Sequence, residues 1–125
     1  MYAVMAAVQL SDDPSAPPVP CRQMAEAAKM PERFLLQVLR MMVNAGLLVS
    51  TRGVVGGYRL ARPAHEISLL EIVEATQGPL KAEPLDLPEL SQELSARLGA
   101  LLAAAVEEHR RRLARVTLHE LSRAA

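Results

Sequence analysis

The chain is poor in aromatic side chains and carries a single cysteine. Aromatics make up 2% of the residues and Trp is missing, so the interior must be built from Leu, Ala, Val, Ile and Met, a palette that favours helices. Cys21 alone cannot close an intrachain disulfide, and one thiol per chain excludes a cysteine-rich metal site. No uninterrupted apolar run approaches the roughly 20 residues that span a bilayer. The first residues also lack a basic region followed by an apolar stretch and a cleavage site, so a soluble cytoplasmic protein without membrane contact is expected.

Catalytic constellations are missing as well. There is no nucleophile with a neighbouring base and no pair of carboxylates placed for acid–base work. Gly53-Val54-Val55-Gly56-Gly57 lacks the lysine and following helix of a phosphate-binding loop. His109 and His119 do not stand at the i, i+4 spacing of a helical metal pair, and His65 reads as a loop residue. No enzyme and no cofactor are expected.

Net charge is zero, with 14 Lys+Arg against 14 Asp+Glu, which taken alone argues against a nucleic-acid partner. The distribution points the other way. Between Pro20 and His65 seven basic residues (Arg22, Lys29, Arg33, Arg40, Arg52, Arg59, Arg62) face only Glu26 and Glu32, a local net charge of +5. A basic module inside a neutral chain is the electrostatic footprint of a DNA binder.

At 125 residues one core is expected. Tyr2 to Leu10 reads as a short, largely buried helix, ended by a surface loop from Ser11 to Pro20 that contains Pro14, Pro17, Pro18 and Pro20. Cys21 to Lys29 sets Met24, Ala25 and Ala28 on one helical face. Pro31 then stands where the first turn of another helix tolerates it. That helix, Glu32 to Ala45, places Phe34, Leu35, Val38, Leu39, Met42 and Val43 at spacings of three and four, leaves Arg33, Gln37, Arg40 and Asn44 for another surface, and stops at Gly46. Leu47 to Arg52 and Tyr58 to Arg62 are strand-like runs around a glycine-rich tip, a β-hairpin wing.

Ser68-Leu69-Leu70-Glu71 has the spacing of a capping box and opens a helix through Thr76, closed by Gly78 and Pro79. Pro79 to Pro88 is a linker. From Glu89 a helical pattern runs to about Val116, roughly 40 Å at 1.5 Å per residue. It carries two apolar stripes, Leu90, Leu94, Leu98, Leu101 and Ala105, and Leu102, Val106, Leu113 and Val116. Two stripes imply two neighbours, the winged part of the chain and an identical helix of a second subunit. Thr117 to Glu120 offers a second capping box for a short last helix. The expected fold is mainly α with a small β-hairpin: a winged helix-turn-helix domain over residues 1–78, a linker over 79–88, and a dimerisation helix with a short C-terminal helix over 89–125.

Gln23 to Gly78 resembles the Rrf2 family of winged helix-turn-helix transcriptional regulators. The resemblance rests on Met24-Ala25-Glu26, Phe34-Leu35, Leu39-Arg40, Ala45-Gly46-Leu47-Leu48, the wing Arg52-Gly53 with Gly56-Gly57-Tyr58, and Ser68-Leu69-Leu70-Glu71-Ile72-Val73-Glu74-Ala75. Val116 to Leu121 is similar to the family's C-terminus. Members that sense iron–sulfur status carry three cysteines between the capping-box helix and the long helix. Pro79 to Leu98 contains none, so the cluster does not carry over. Where the family often has an acidic residue after the Phe-Leu pair, this chain has Leu36.

The resemblance implies a homodimeric, sequence-specific regulator of double-stranded DNA, expected to be a repressor, whose recognition helices enter successive major grooves about 34 Å apart. Arg33, Gln37 and Arg40 are the expected recognition-helix contacts, to base edges or phosphates. Arg52 is expected at the minor groove, with Gly53, Gly56 and Gly57 allowing positive φ and a close backbone approach. A solvated helix face and an ordinary glycine hairpin are the plainer readings of these residues. Tyr58 is expected to pack the wing, and Cys21 to be buried and inert rather than a redox switch. Two other functions stay open: a protein-interaction module that has lost DNA binding, motivated by Leu36 and the Val54-Val55 tip, and a regulator with a small-molecule effector bound between the linker and the long helix.

Overall fold

The computed structural model describes every residue except Ser11, Pro14, Asp86 and Ala125. The parts of the proline loop, the linker and the C-terminal end that fall on those four positions lie outside the described residues. Helix α1 (Tyr2–Ala7) turns Ala3, Ala6 and Ala7 inward. Its small side chains let α3 approach closely, and Leu10 just beyond it closes the same core. Tyr2 and Met5 stay exposed, so the helix is buried along one face only.

Helix α2 (Cys21–Ala28) ends where Lys29 adopts a left-handed conformation, φ 54°. The chain then re-enters helix α3 (Glu32–Asn44) through Pro31 at its N-cap. The two form the expected helix, turn, helix. Leu35, Val38, Leu39 and Met42 of α3 are buried and Gly46 stops the helix at φ 78°, as the residue that tolerates this backbone should. Phe34 departs from the expectation: it is 47% exposed and meets Tyr2 edge-on, ring centroids 5.2 Å apart. One residue turns a helix by about 100°, which carries Phe34 from the Leu35 face to the rim.

Strands β1 (Leu48–Thr51) and β2 (Gly57–Leu60) pair antiparallel, Leu48 opposite Leu60 and Thr51 opposite Gly57. Both are shorter than the sequence runs around them. The proline loop also joins the sheet: Val19 donates to Tyr58 O at 3.0 Å and accepts from Tyr58 N at 2.9 Å. Flanked by Pro18 and Pro20, which lack an N–H, Val19 is the one position of Pro17 to Pro20 with both groups to offer, and β2 is thereby covered on both edges.

A single turn of 3₁₀ helix, Ala64–Glu66, leads to helix α4 (Leu69–Gln77). Its capping box is formed in full: Ser68 Oγ accepts from Glu71 N at 3.1 Å, and Ser68 N donates to Glu71 Oε2 at 2.9 Å. Helix α5 (Gln92–Arg115) begins three residues later than its apolar pattern, because Ser91 takes the N-cap by accepting from Leu94 N at 3.2 Å. Helix α6 (Leu118–Ala124) folds back on the winged part. Leu118 N donates to Ile67 O and Leu69 N to Val116 O, both at 2.8 Å, and the Leu118 side chain is fully buried in the common core. None of the described helices is long and apolar enough to cross a membrane.

Candidate nucleic-acid interface

Burying Leu35, Leu39 and Met42 against α1, α2 and β1 leaves the opposite face of α3 in solvent. Arg33, Gln37, Arg40 and Asn44 are exposed there, one above another at spacings of three and four. Among the described residues Arg33, Arg40 and Arg52 form no ion pair, whereas Arg62 is bound to Glu71 at 2.6 Å and Arg22 to Glu26 at 3.3 Å. Three of the module's cations without an ion pair thus stand on α3 and the wing, and Lys29, exposed in the turn between α2 and α3, is a fourth.

The wing loop owes its shape to its glycines. Gly53, at φ 115°, starts the reversal, and nothing stands within 4 Å of where its Cβ would be. Gly56 is buried in the neck of the hairpin, where a Cβ would lie 2.3 Å from Thr51 O; at Gly57 it would lie 2.4 Å from the Val19 carbonyl carbon. Gly56 and Gly57 are thus accounted for by the packing of the hairpin and the Val19 bridge. Only Gly53 presents open backbone to a ligand.

Between α3 and the wing lies an open cleft of about 610 Å³, lined by Leu36, Arg40, Val43 and Asn44 on one side and by Thr51, Arg52 and Gly53 on the other, with Cys21 and Tyr58 also in its wall. Arg40, Arg52, Gly53, Gly56 and Gly57 all border it. Arg33 and Gln37 do not; they continue the exposed face of α3 toward its N-terminus. Leu36 is half-buried at the cleft, between core and surface. A guanidinium on each wall, with donors from Asn44 and Thr51 between them, suits a polyanion lying across the opening.

Tyr58 packs the wing as expected. It is half-buried, and burial raises its phenol pKa, with Cys21 adding to the rise and Arg40 opposing it. Cys21 is half-buried rather than fully buried. Its thiol is pushed up by burial and by Glu32, and Sγ lies 3.7 Å from Glu32 O.

Two attachments had no sequence signal. Asp12 Oδ1 accepts from Ala64 N, tying the proline loop to the turn before α4. Arg110 Nη1 of α5 donates to Glu74 Oε2 at 2.6 Å and to Leu80 O at 3.0 Å. Both join segments far apart in the chain, so no local spacing announces them.

Comparison with known proteins agrees with this architecture. The family model described as "Rrf2: Iron-dependent Transcriptional regulator" matches residues 1–124. A Mycobacterium tuberculosis (H37Rv) protein provisionally named an HTH-type transcriptional regulator is 40% identical over 79 residues, 63% of this chain and 49% of that protein. The chain thus spans about half the length of that relative. Among solved structures, CymR, the global cysteine regulator of B. subtilis, superposes with a TM-score of 0.75 at 26% identity, covering 99% of this chain and 92% of that one. IscR of T. potens gives 0.69 at 25% identity, covering 98% and 82%. A family match over almost the whole chain, together with the winged fold and the long C-terminal helix, identifies the chain as a member of the Rrf2 family, a family of transcriptional regulators and not of enzymes.

Proposed function

We propose that this chain is a dimeric, sequence-specific DNA-binding regulator that acts as a repressor and uses no iron–sulfur cluster. The observation that carries the reading is the continuous face of α3 and wing on which Arg33, Arg40 and Arg52 stand exposed and without ion pairs, with Gln37 and Asn44 between them. In this reading residues 1–78 form the DNA-binding head. Arg33 and Gln37 enter the major groove, Arg40 holds phosphate at its edge, and Arg52 with the Gly53 backbone follows the minor groove. Two heads occupying neighbouring grooves of a promoter exclude other proteins from it, which is the repressing step.

Dimerisation is supported by α5. None of its 24 residues is buried within one chain, and Leu94, Leu101 and Leu102 are 44%, 65% and 46% exposed. An apolar face of that length is stable in water when a second copy covers it.

An iron–sulfur cluster does not fit the donors present. The only thiol, Cys21, lies in the wall of the cleft between α3 and the wing. Among the described residues no three His, Cys, Asp or Glu side chains are grouped to hold a metal ion. Selection of bound duplexes from a random DNA library by the full chain tests the proposal. The expected product is a pseudo-palindrome with half-sites one helical turn apart, bound by two chains. Failure to enrich any sequence, with binding indifferent to salt, would contradict it.

A further inference from the structure

The tip of the wing is apolar and fully open to solvent. Val54 and Val55 are 105% and 82% exposed and occupy the central positions of a turn closed by Gly56 N–H donating to Gly53 O at 3.0 Å. Neither has positive φ; the reversed backbone is taken by Gly53 and Gly57, so two β-branched residues sit in this turn without conformational conflict. The neck behind them is narrow, because Gly56 lets the Thr51 carbonyl come where a side chain would be. The result is a slim protrusion with Arg52 at its base and two isopropyl groups at its end, bearing no side-chain charge or hydrogen-bonding group at the tip.

We infer that Val54 and Val55 press on the floor of the minor groove and select A·T over G·C pairs where the wings touch the flanks of the site. The inference rests on the DNA-binding reading above and adds a specificity element to it. A charged tip would grip phosphates without regard to sequence. An apolar tip cannot, and discriminates by what it leaves unpaired. The floor at A·T carries only acceptors, whereas G·C adds the guanine N2 amino group, which stands up into the groove. A valine methyl pressed on that amino group takes its room and leaves a dehydrated donor without an acceptor. A·T-rich grooves are also narrower and more negative, which brings the sugar walls onto both side chains and draws the Arg52 guanidinium in beside them.

The test uses the full chain, a selected site, and three flanks at the wing position: A·T, G·C, and I·C, in which hypoxanthine lacks only the 2-amino group. Fluorescence anisotropy should show binding to the G·C flank weakened by about tenfold relative to A·T, with I·C restoring it to within about twofold of A·T. The double variant Val54→Ser, Val55→Ser should lose most of the penalty on the G·C flank, keeping only the roughly two- to threefold A·T preference that the groove width gives through Arg52, with the salt dependence of the wild type, since no phosphate contact is removed. Val54→Thr, Val55→Thr, which preserves the β-branch, controls for the fold of the turn and should show an intermediate preference. Equal binding to G·C and I·C flanks, or full discrimination retained by the serine variant, would overturn the inference while leaving DNA binding intact. Salt-insensitive or absent binding to every duplex would overturn both.

Discussion

Arg110 reaches from the C-terminal part of the long helix to Glu74, Nη1 to Oε2 at 2.6 Å, and the same guanidinium nitrogen donates to the Leu80 carbonyl at 3.0 Å. Glu74 Oε2 also accepts from Leu80 N at 2.9 Å. One ion pair thus fastens the end of α4, the start of the linker and α5 together. Arg110→Ala should free the linker: hydrogen exchange at the Leu80 amide should speed up markedly while exchange in α3 stays unchanged. Uniform acceleration would show instead that the pair supports the whole fold.

The same contact has a pH signature. The Arg110 hydrogen bond, helped by the Leu80 amide, holds the Glu74 carboxyl below its ordinary value of 4.5. A lowered folded-state pKa gives stability that is present above the unfolded value and lost as pH falls through the folded one. Wild type should therefore exceed Glu74→Gln in urea resistance at pH 7, and the gap should close as pH falls below about 4.5. A gap independent of pH would mean that the side chain acts by packing alone.

Ser68 offers a local test of stability. Ser68→Ala removes the acceptor of Glu71 N and should cost about 1 kcal/mol in denaturant unfolding. Burial raises the Glu71 pKa, but the Ser68 amide and Arg62 outweigh it and leave the carboxyl lowered overall. Glu71→Gln should accordingly destabilise more at neutral pH than in acid.

The dimer is best probed by point substitution. Leu101 is 65% exposed within one chain, so Leu101→Asp should leave the winged head folded yet shift light-scattering mass from two chains to one at micromolar concentration. Deleting the chain from residue 89 onward is a poorer test, because it also removes Leu118, which is 0% exposed in the common core. A wild-type chain that is already monomeric would contradict the dimer.

What was legible from sequence is local. The Ser68 box, the Gly46 stop and the opposed faces of α3 each follow from spacing over one or two helical turns, and all appear in the structure. Phe34 shows the limit: the helical period brings it close to the buried stripe, but only the placement of α1 decides that Leu35 is covered and Phe34 is left at the rim beside Tyr2. The Val19 bridge and the Arg110 contact depend on segments 39 and 36 residues apart meeting in space. For the glycines of the wing, sequence indicated conformational freedom. The structure adds that Gly56 and Gly57 are needed for close packing.

The central claim, that the face of α3 and wing binds DNA, is tested most directly at Arg52. Salt titrations of wild type and Arg52→Ala, followed by fluorescence anisotropy on one selected operator, should show affinity weakened by about 1–3 kcal/mol per subunit and the slope of log affinity against log salt reduced by about one per lost contact. Tyr58→Phe, which changes no charge, should keep the wild-type slope. Unchanged affinity and slope for an Arg52→Ala protein that is folded and dimeric would contradict the account and remove the wing from the interface.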